Sequence, residues 1–234
     1  MGAIELLHIR NTSGCREIRP GGTDGQERRG TPMKKTELAA RLKSACAQVA
    51  AAEPVLTEID SKFGDADHGL TMSKIAGAIA QAVDESEGGI QAMLDDAAMA
   101  VMVLNGGSAV PLWNTWLDGL QEAAPAGDEV DTEGLKAMFA RALEALDEMS
   151  GAKVGDKTMM DALIPASQAI AAYQGGSEAE LFTAAAQAAQ RGMEASKGYV
   201  AKFGRARSYG EQTIGTPDAG AASMAFFFQG LARL

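Results

Sequence analysis

The sequence predicts an all-α fold, a single bundle of about eight helices over residues 33–234. Three observations predict it. Aromatic residues make up only 5% of the chain while Ala and Met are abundant, and Ala and Met lose little conformational freedom in a helix. From Met33 onward apolar residues recur every three or four positions, the spacing of one helix face. Runs that alternate Val, Ile or Tyr with polar residues, which would mark half-buried strands, are almost absent.

Each element follows in order. The first helix is expected over 34–53, with Leu38, Leu42, Ala45 and Val49 on one face and Pro54 as its stop. The second runs over 69–83, behind an aspartate-rich loop. Ile90, Met93, Leu94, Ala97, Ala98, Val101, Met102 and Leu104 mark the third over 90–104. The fourth, 109–123, ends before Pro125 and Gly127. Leu135, Met138, Phe139, Ala142, Leu143, Leu146 and Met149 form one stripe along the fifth, 132–149. The sixth, 158–173, stops at Gly175-Gly176. The seventh opens on Ser177-x-x-Glu180, a capping-box pattern, and runs to about Ser196; the eighth is 219–233. No period recurs that would indicate a solenoid.

A chain of 234 residues suits one generous domain. Its net charge of -10 argues against a general nucleic-acid binder, but a nucleotide bridged by magnesium stays open. Cys15 and Cys46 lie too far apart in sequence to suggest a disulfide framework or a zinc site. A reducing, cytoplasmic setting is therefore expected. No apolar run approaches the roughly 20 residues of a membrane span. Residues 1–32 are rich in Gly and Arg. They are expected to be a disordered extension, or the result of a start assigned ahead of Met33; a transit peptide is the alternative.

The connections divide into two kinds. Residues 84–89 and 124–131 read as plain polar turns. Residues 60–69, 105–108, 150–158 and 198–220 do not, and they alternate with the plain ones. In an up-and-down bundle alternate connections share an end, so these four should meet at one rim. The first holds Asp60, Asp65 and Asp67, followed by His68-Gly69. Such close carboxylates repel unless a cation sits among them, and hard oxygen ligands suit Mg2+ or Ca2+. A helix starts directly behind them, and a cation beside a helix N-terminus makes a phosphate site. A solvated acidic cap explains the aspartates alone equally well. His68, beside the carboxylates, is expected to titrate above its usual range.

The second connection, Asn105-Gly106-Gly107-Ser108-Ala109, permits close approach of backbone to an anion, and it also fits an ordinary helix turn. The third is Gly155-Asp156-Lys157-Thr158-Met159-Met160-Asp161, where Asp156 or Thr158 suits a helix cap. The fourth contains Gly204-Arg205-Ala206-Arg207 and Asp218-Ala219-Gly220, in a stretch without helical pattern that is unusually long for a compact domain. Arg205 or Arg207 could neutralise a phosphate; either also fits as an exposed, solubilising charge.

These stretches together resemble the L subunit of dihydroxyacetone kinase, the DhaL or DAK2-domain family, over roughly residues 34–232. Phe63-Gly64-Asp65-Ala66-Asp67-His68-Gly69 is similar to its signature, and the other segments follow in the family's order. The resemblance implies a closed barrel of eight antiparallel amphipathic helices that binds ADP or ATP and acts as a kinase subunit. It implies that Asp60, Asp65 and Asp67 hold two Mg2+ ions. Nucleotide phosphates would lie against His68, Gly69, Leu70 and Thr71 and against Ser108 and Ala109. Gly151, Met159 and Arg205 would line the nucleotide pocket, and Asp218, Ala219 and Gly220 would close it. It also implies a substrate-holding K subunit as partner and, in one branch, a phosphotransferase-system protein as phosphoryl donor. The chain departs from the family's pattern at Ser108-Ala109-Val110, at Thr71 and over 206–212. These departures bear on the phosphate grip, the partner surface and the substrate.

Overall fold

In the computed structural model, which describes residues 31–234, eight long helices stand side by side in a closed ring. They are α1 (Lys35–Ala51), α3 (His68–Glu85), α4 (Ile90–Met102), α5 (Ala109–Glu122), α6 (Thr132–Ser150), α7 (Met160–Ala172), α8 (Glu178–Ser196) and α9 (Ala219–Leu231). Each packs on the next, and α9 returns to pack on α1. The expected all-α architecture is the observed one. Except for Thr31 and Pro32, the expectation for residues 1–32 lies outside the described residues. Among these, no helix is long and apolar enough to cross a membrane.

Two elements depart from the sequence reading. A short helix, α2 (Glu53–Ser61), follows α1 almost without a break. Pro54 ends α1 but opens α2 from its first turn, where a missing N–H costs nothing. Met33–Lys34 (β1) pairs antiparallel with Glu129–Val130 (β2), two strands too short for alternation to reveal them.

The predicted faces are buried with few exceptions. Leu38, Leu42, Ala45 and Val49 are in the core, as are Ile90, Met93, Leu94, Ala97, Ala98 and Val101. Met102 and Met149, assigned to the apolar stripes, are instead half exposed at the ends of α4 and α6; both stripes stop a turn early because the helices end at the rim. The barrel is filled by Trp113 and Trp116 from α5, Phe139 from α6, Phe182 from α8 and Phe227 and Phe228 from α9. Their rings meet mostly edge to face at centroid distances from 5.2 to 6.3 Å, an arrangement that adds to simple burial. Buried Arg41 fastens the closing pair: its Nη1 donates to the carbonyl of Leu231 (2.9 Å) at the end of α9, and its guanidinium lies over Phe182. A cation at a helix C-terminus also complements the dipole.

The plain connections gather at one end. Ile90 N donates to the carbonyl of Gly127, Lys35 N to that of Asp128, and Lys35 Nζ to those of Ser86 and Gly88. The capping box at Ser177 is modified. Ser177 Oγ accepts from Glu180 N, but Glu180 does not reach back itself; the hydroxyl of Tyr173 accepts from Ser177 N and donates to Glu180.

α7 and α8 approach each other closely at a glycine. Pro165 has no N–H, so the carbonyl of Asp161 lacks its helical partner, and Gly192 of α8 packs against it. A Cβ at Gly192 would lie 1.9 Å from that oxygen. Gly192→Ala is expected to destabilise the fold by about 1–3 kcal/mol, read as a lower urea midpoint at unchanged slope; an unchanged midpoint would contradict this packing.

Candidate active site

The four unusual connections meet at the opposite end around a cavity of about 560 Å³. Asp60 comes from the last turn of α2, Asp65 and Asp67 from the loop before α3. Their carboxylate oxygens lie within 4.8 Å of one another. The loop is shaped to do this. Gly64 folds so tightly over Asp60 that a Cβ would sit 2.0 Å from its Oδ1, and Ala66 takes a left-handed φ of 61°. Asp60 Oδ2 accepts from the amides of Asp67 (3.1 Å) and His68 (3.4 Å), which fixes its carboxylate against the start of α3. Arg205 Nη1 reaches Asp65 Oδ2 at 2.6 Å.

The electrostatics match the crowding. Desolvation, then Asp65 and Asp60, push the Asp67 carboxyl above the usual range, and Arg205 only partly offsets them. Among the described residues this is the one acidic group of three or more with ligand geometry. Three hard oxygens from flexible carboxylates fit a magnesium ion and offer nothing to a soft metal. The first turn of α3 begins at His68, so the amides of Gly69 and Leu70 have no helical acceptor.

His68 behaves differently from expectation. Loss of water at the ring holds its pKa below the ordinary value, outweighing Asp60, the Ala219 carbonyl and Asp67. Burial wins over charge because the ring tucks inward, with Nε2 3.3 Å from Ser223 Oγ, while the carboxylates stay at the open mouth.

Of the residues singled out in the sequence, Asp60, Asp65, Asp67, His68, Thr71, Ser108, Ala109, Met159, Arg205, Asp218, Ala219 and Gly220 all line the cavity. Gly69, Leu70 and Gly151 do not. Gly69 packs against α2, where a Cβ would strike Thr57 and the Glu53 carbonyl. Leu70 points half exposed to solvent. Gly151 is the left-handed cap of α6, and its neighbours Ser150 and Ala152 face the cavity instead. Val110, the departure in the second connection, is buried beneath Gly106 and stays outside the cavity, while Ser108 lines it. Arg207 is exposed and outside it. Ile59, Leu112, Trp113, Phe203 and Pro217 also line the cavity and were not assigned to it from the sequence; nothing in their local pattern separates a cavity wall from a core.

The third connection is held by buried Asp161, which accepts from the amides of Gly155 and Thr158, both at 2.6 Å. Thr158 Oγ1 accepts from Met160 N at the start of α7. Asp218 caps α9 by accepting from Ala221 N (2.8 Å).

Fold and site together define a helical barrel with a cluster of three carboxylates at the mouth of a cavity. The chain belongs to the DAK2 domain family, whose model matches residues 62–233. It is similar to the L-erythrulose kinase of Pectobacterium atrosepticum, 35% identical over 204 residues that cover 84% of this chain and 34% of that protein. It is also similar to the PEP-dependent dihydroxyacetone kinase, ADP-binding subunit DhaL, of Escherichia coli, 32% identical over 183 residues covering 76% of this chain and 86% of that one. The chain spans about a third of the length of the first curated relatives that it matches. Among solved structures, the dihydroxyacetone kinase from C. freundii in complex with AMP-PNP and Mg2+ superimposes with a TM-score of 0.63 at 22% identity, covering 96% of this chain and 38% of that one. At that identity the likeness establishes the fold.

Desolvation pushes the Asp218 carboxyl up to about 7, against 3.8 for the free group. Between these values the folded protein keeps a proton that the unfolded chain has released. The contribution is fully present below the lower value and is lost as pH rises toward the upper one. The stability of the wild type relative to Asp218→Asn is therefore expected to fall by a few kcal/mol between about pH 4 and pH 7, followed by urea denaturation; a constant difference would contradict the assignment.

Proposed function

We propose that this chain is the nucleotide-binding phosphotransferase subunit of a dihydroxyacetone-type kinase. It transfers the terminal phosphate of a magnesium nucleotide to a small ketose held by a partner K subunit. The convergence of Asp60, Asp65 and Asp67 beside the N-terminus of α3 carries this reading. The kinase names of the relatives and the DhaL relative matched over most of its length support it. Sites for two Mg2+ ions, a cytoplasmic setting and, for the branch that retains ADP, a phosphotransferase-system donor belong to the same reading.

The three carboxylates would hold Mg2+, which when bound supplies the positive charge that lets a polyphosphate approach an acidic rim and stabilises charge on the transferring phosphoryl group. The remaining work falls to the chain. The positive end of the α3 dipole and the hydroxyl of Ser108, which lines the cavity, accommodate phosphate oxygens. Arg205, poised on Asp65, has a guanidinium shaped to bridge phosphate. Leu112, Trp113, Met159, Phe203 and Pro217 form an apolar wall suited to the nucleoside and exclude water from the transfer. His68, whose ring is held between Ser223 and the Ala219 carbonyl, fixes the start of α3 against α9 beside the phosphate site. Catalysis in this scheme is positioning and charge stabilisation. Val110 is buried clear of the cavity, so this departure lends no support to a purely regulatory module of the same fold.

A four-carbon ketose as acceptor is the second reading. It is favoured by the three relatives of 33–36% identity named as erythrulose kinases. A substrate panel assayed with the K subunit decides between three- and four-carbon acceptors.

The experiment is calorimetric titration with ATP and ADP, with and without Mg2+. Binding is expected only with magnesium. Asp65→Asn and Asp67→Asn are each expected to abolish it while leaving the helical circular dichroism unchanged. Equal binding without magnesium, or no binding by the wild type, would sink the proposal.

A further inference from the structure

The connection between α8 and α9, residues 197–218, carries Arg205 and ends on Asp218, yet it contains no α-helix, only a 3-10 segment over Arg205–Thr213 that kinks at Gly210. A stretch of this length is ordinarily mobile. Here it is tied down by polar bonds that converge on two adjacent residues of the connection between α6 and α7.

The inner tie is Lys157. The residue is only 4% exposed, and Nζ donates to the carbonyls of Ser196 (2.6 Å) and Thr216 (2.5 Å). One ammonium thus clasps both feet of the long connection and also lines the cavity. The outer tie is Asp156. Its carbonyl accepts from Lys202 N (3.1 Å) and its Oδ1 from Lys202 Nζ (2.5 Å). Two more bonds close the feet on each other: Asp218 N donates to Ser196 Oγ (2.9 Å) and Gly215 N to the carbonyl of Lys197 (2.7 Å).

Lys157 carries two energetic burdens. Its φ is 61°, a left-handed conformation that costs any residue with a Cβ. Its ammonium has also lost water, which lowers its pKa despite the nearby carboxylates of Asp218 and Asp161. A lysine is retained under both burdens where its bonds fix something else. What they fix is the segment bearing Arg205, whose guanidinium must meet both Asp65 and a phosphate.

Resting on the nucleotide-binding function proposed above, we infer that Lys157 is a positioning residue: its buried ammonium locks the 197–218 connection against the 151–159 connection and so sets Arg205 and Asp218 for the nucleotide. Both hydrogen bonds of its ammonium go to backbone carbonyls and none to the aspartate cluster. It acts through the backbone carbonyls of Ser196 and Thr216, and the Asp60, Asp65 and Asp67 cluster is built without it.

The test compares the wild type, Lys157→Met and Lys202→Ala by calorimetric titration with ADP at saturating Mg2+, by circular dichroism, and by amide exchange over residues 205–214. Lys157→Met is expected to weaken ADP about tenfold or more, to speed exchange over 205–214, and to leave the Mg2+ requirement unchanged. Lys202→Ala, which cuts only the exposed arm of the outer tie, should shift both readouts the same way by about two- to threefold. A purely structural lysine would instead lower the folded fraction without moving the ADP Kd of the molecules that remain folded. A folded Lys157→Met with wild-type Kd and exchange overturns the inference. If that variant does not fold, Lys202→Ala decides, and wild-type values for it overturn the inference as well. Failure of the wild type to bind ADP is a separate result, since it removes the proposed function and this inference with it.

Discussion

Three carboxylates held within 4.8 Å of each other at the mouth of a cavity are the constraint to which the rest of this structure answers. Two unit charges about 4 Å apart repel by roughly 4 kcal/mol at the effective dielectric of a protein surface, and a whole domain has only about 5–15 kcal/mol of stability. The chain holds this arrangement with backbone. Asp60 is fixed by two amides, the turn is closed over it by Gly64, and Arg205 comes from the far end of the sequence to offset Asp65. The raised pKa of Asp67 reflects its desolvation first and then the repulsion from Asp65 and Asp60 that these devices leave over. Under the proposed function a divalent cation is the partner of this group.

The barrel makes this local strain tolerable. The aromatic core, the Arg41 clasp from α1 to α9 and the close α7–α8 packing at Gly192 make the ring rigid. Because neighbouring helices are antiparallel, every second connection falls at the same end. The chain thus divides labour between its two rims. At one, β1, β2 and the bonds of Lys35 tie plain turns together. At the other, four irregular segments from well-separated parts of the sequence enclose one cavity. The long 197–218 segment is the least regular of them, and buried polar bonds through Asp156 and Lys157 make up for its lack of helix.

Much of this was legible in the sequence for a physical reason: helix faces and acidic clusters are local patterns. The stripes on α1, α4 and α6 and the eight long helices came from periodicity, and the shared rim from the alternation of plain and unusual connections. What escaped depends on contacts between distant segments. Pro54 read as a stop because a proline ends one helix and opens another by the same property, its missing N–H. His68 was expected to be pulled upward by its acidic neighbours, but its burial against α9 is set by a residue 155 positions away. Lys157 sat in full view within a recognised segment. Its partners are backbone carbonyls 39 and 59 residues on, which no side-chain motif announces. Met102 and Met149 obeyed the helical period but reached past the end of the core.

The central claim is that the aspartate cluster grips a divalent cation that in turn grips a polyphosphate. Electron–nuclear double resonance on Mn2+ bound in place of Mg2+, in the presence of ADP, tests it directly. Phosphorus couplings to the manganese are expected in the wild type and are expected to vanish in Asp67→Asn. Manganese that binds without any phosphorus coupling, or couples equally in the variant, would contradict it.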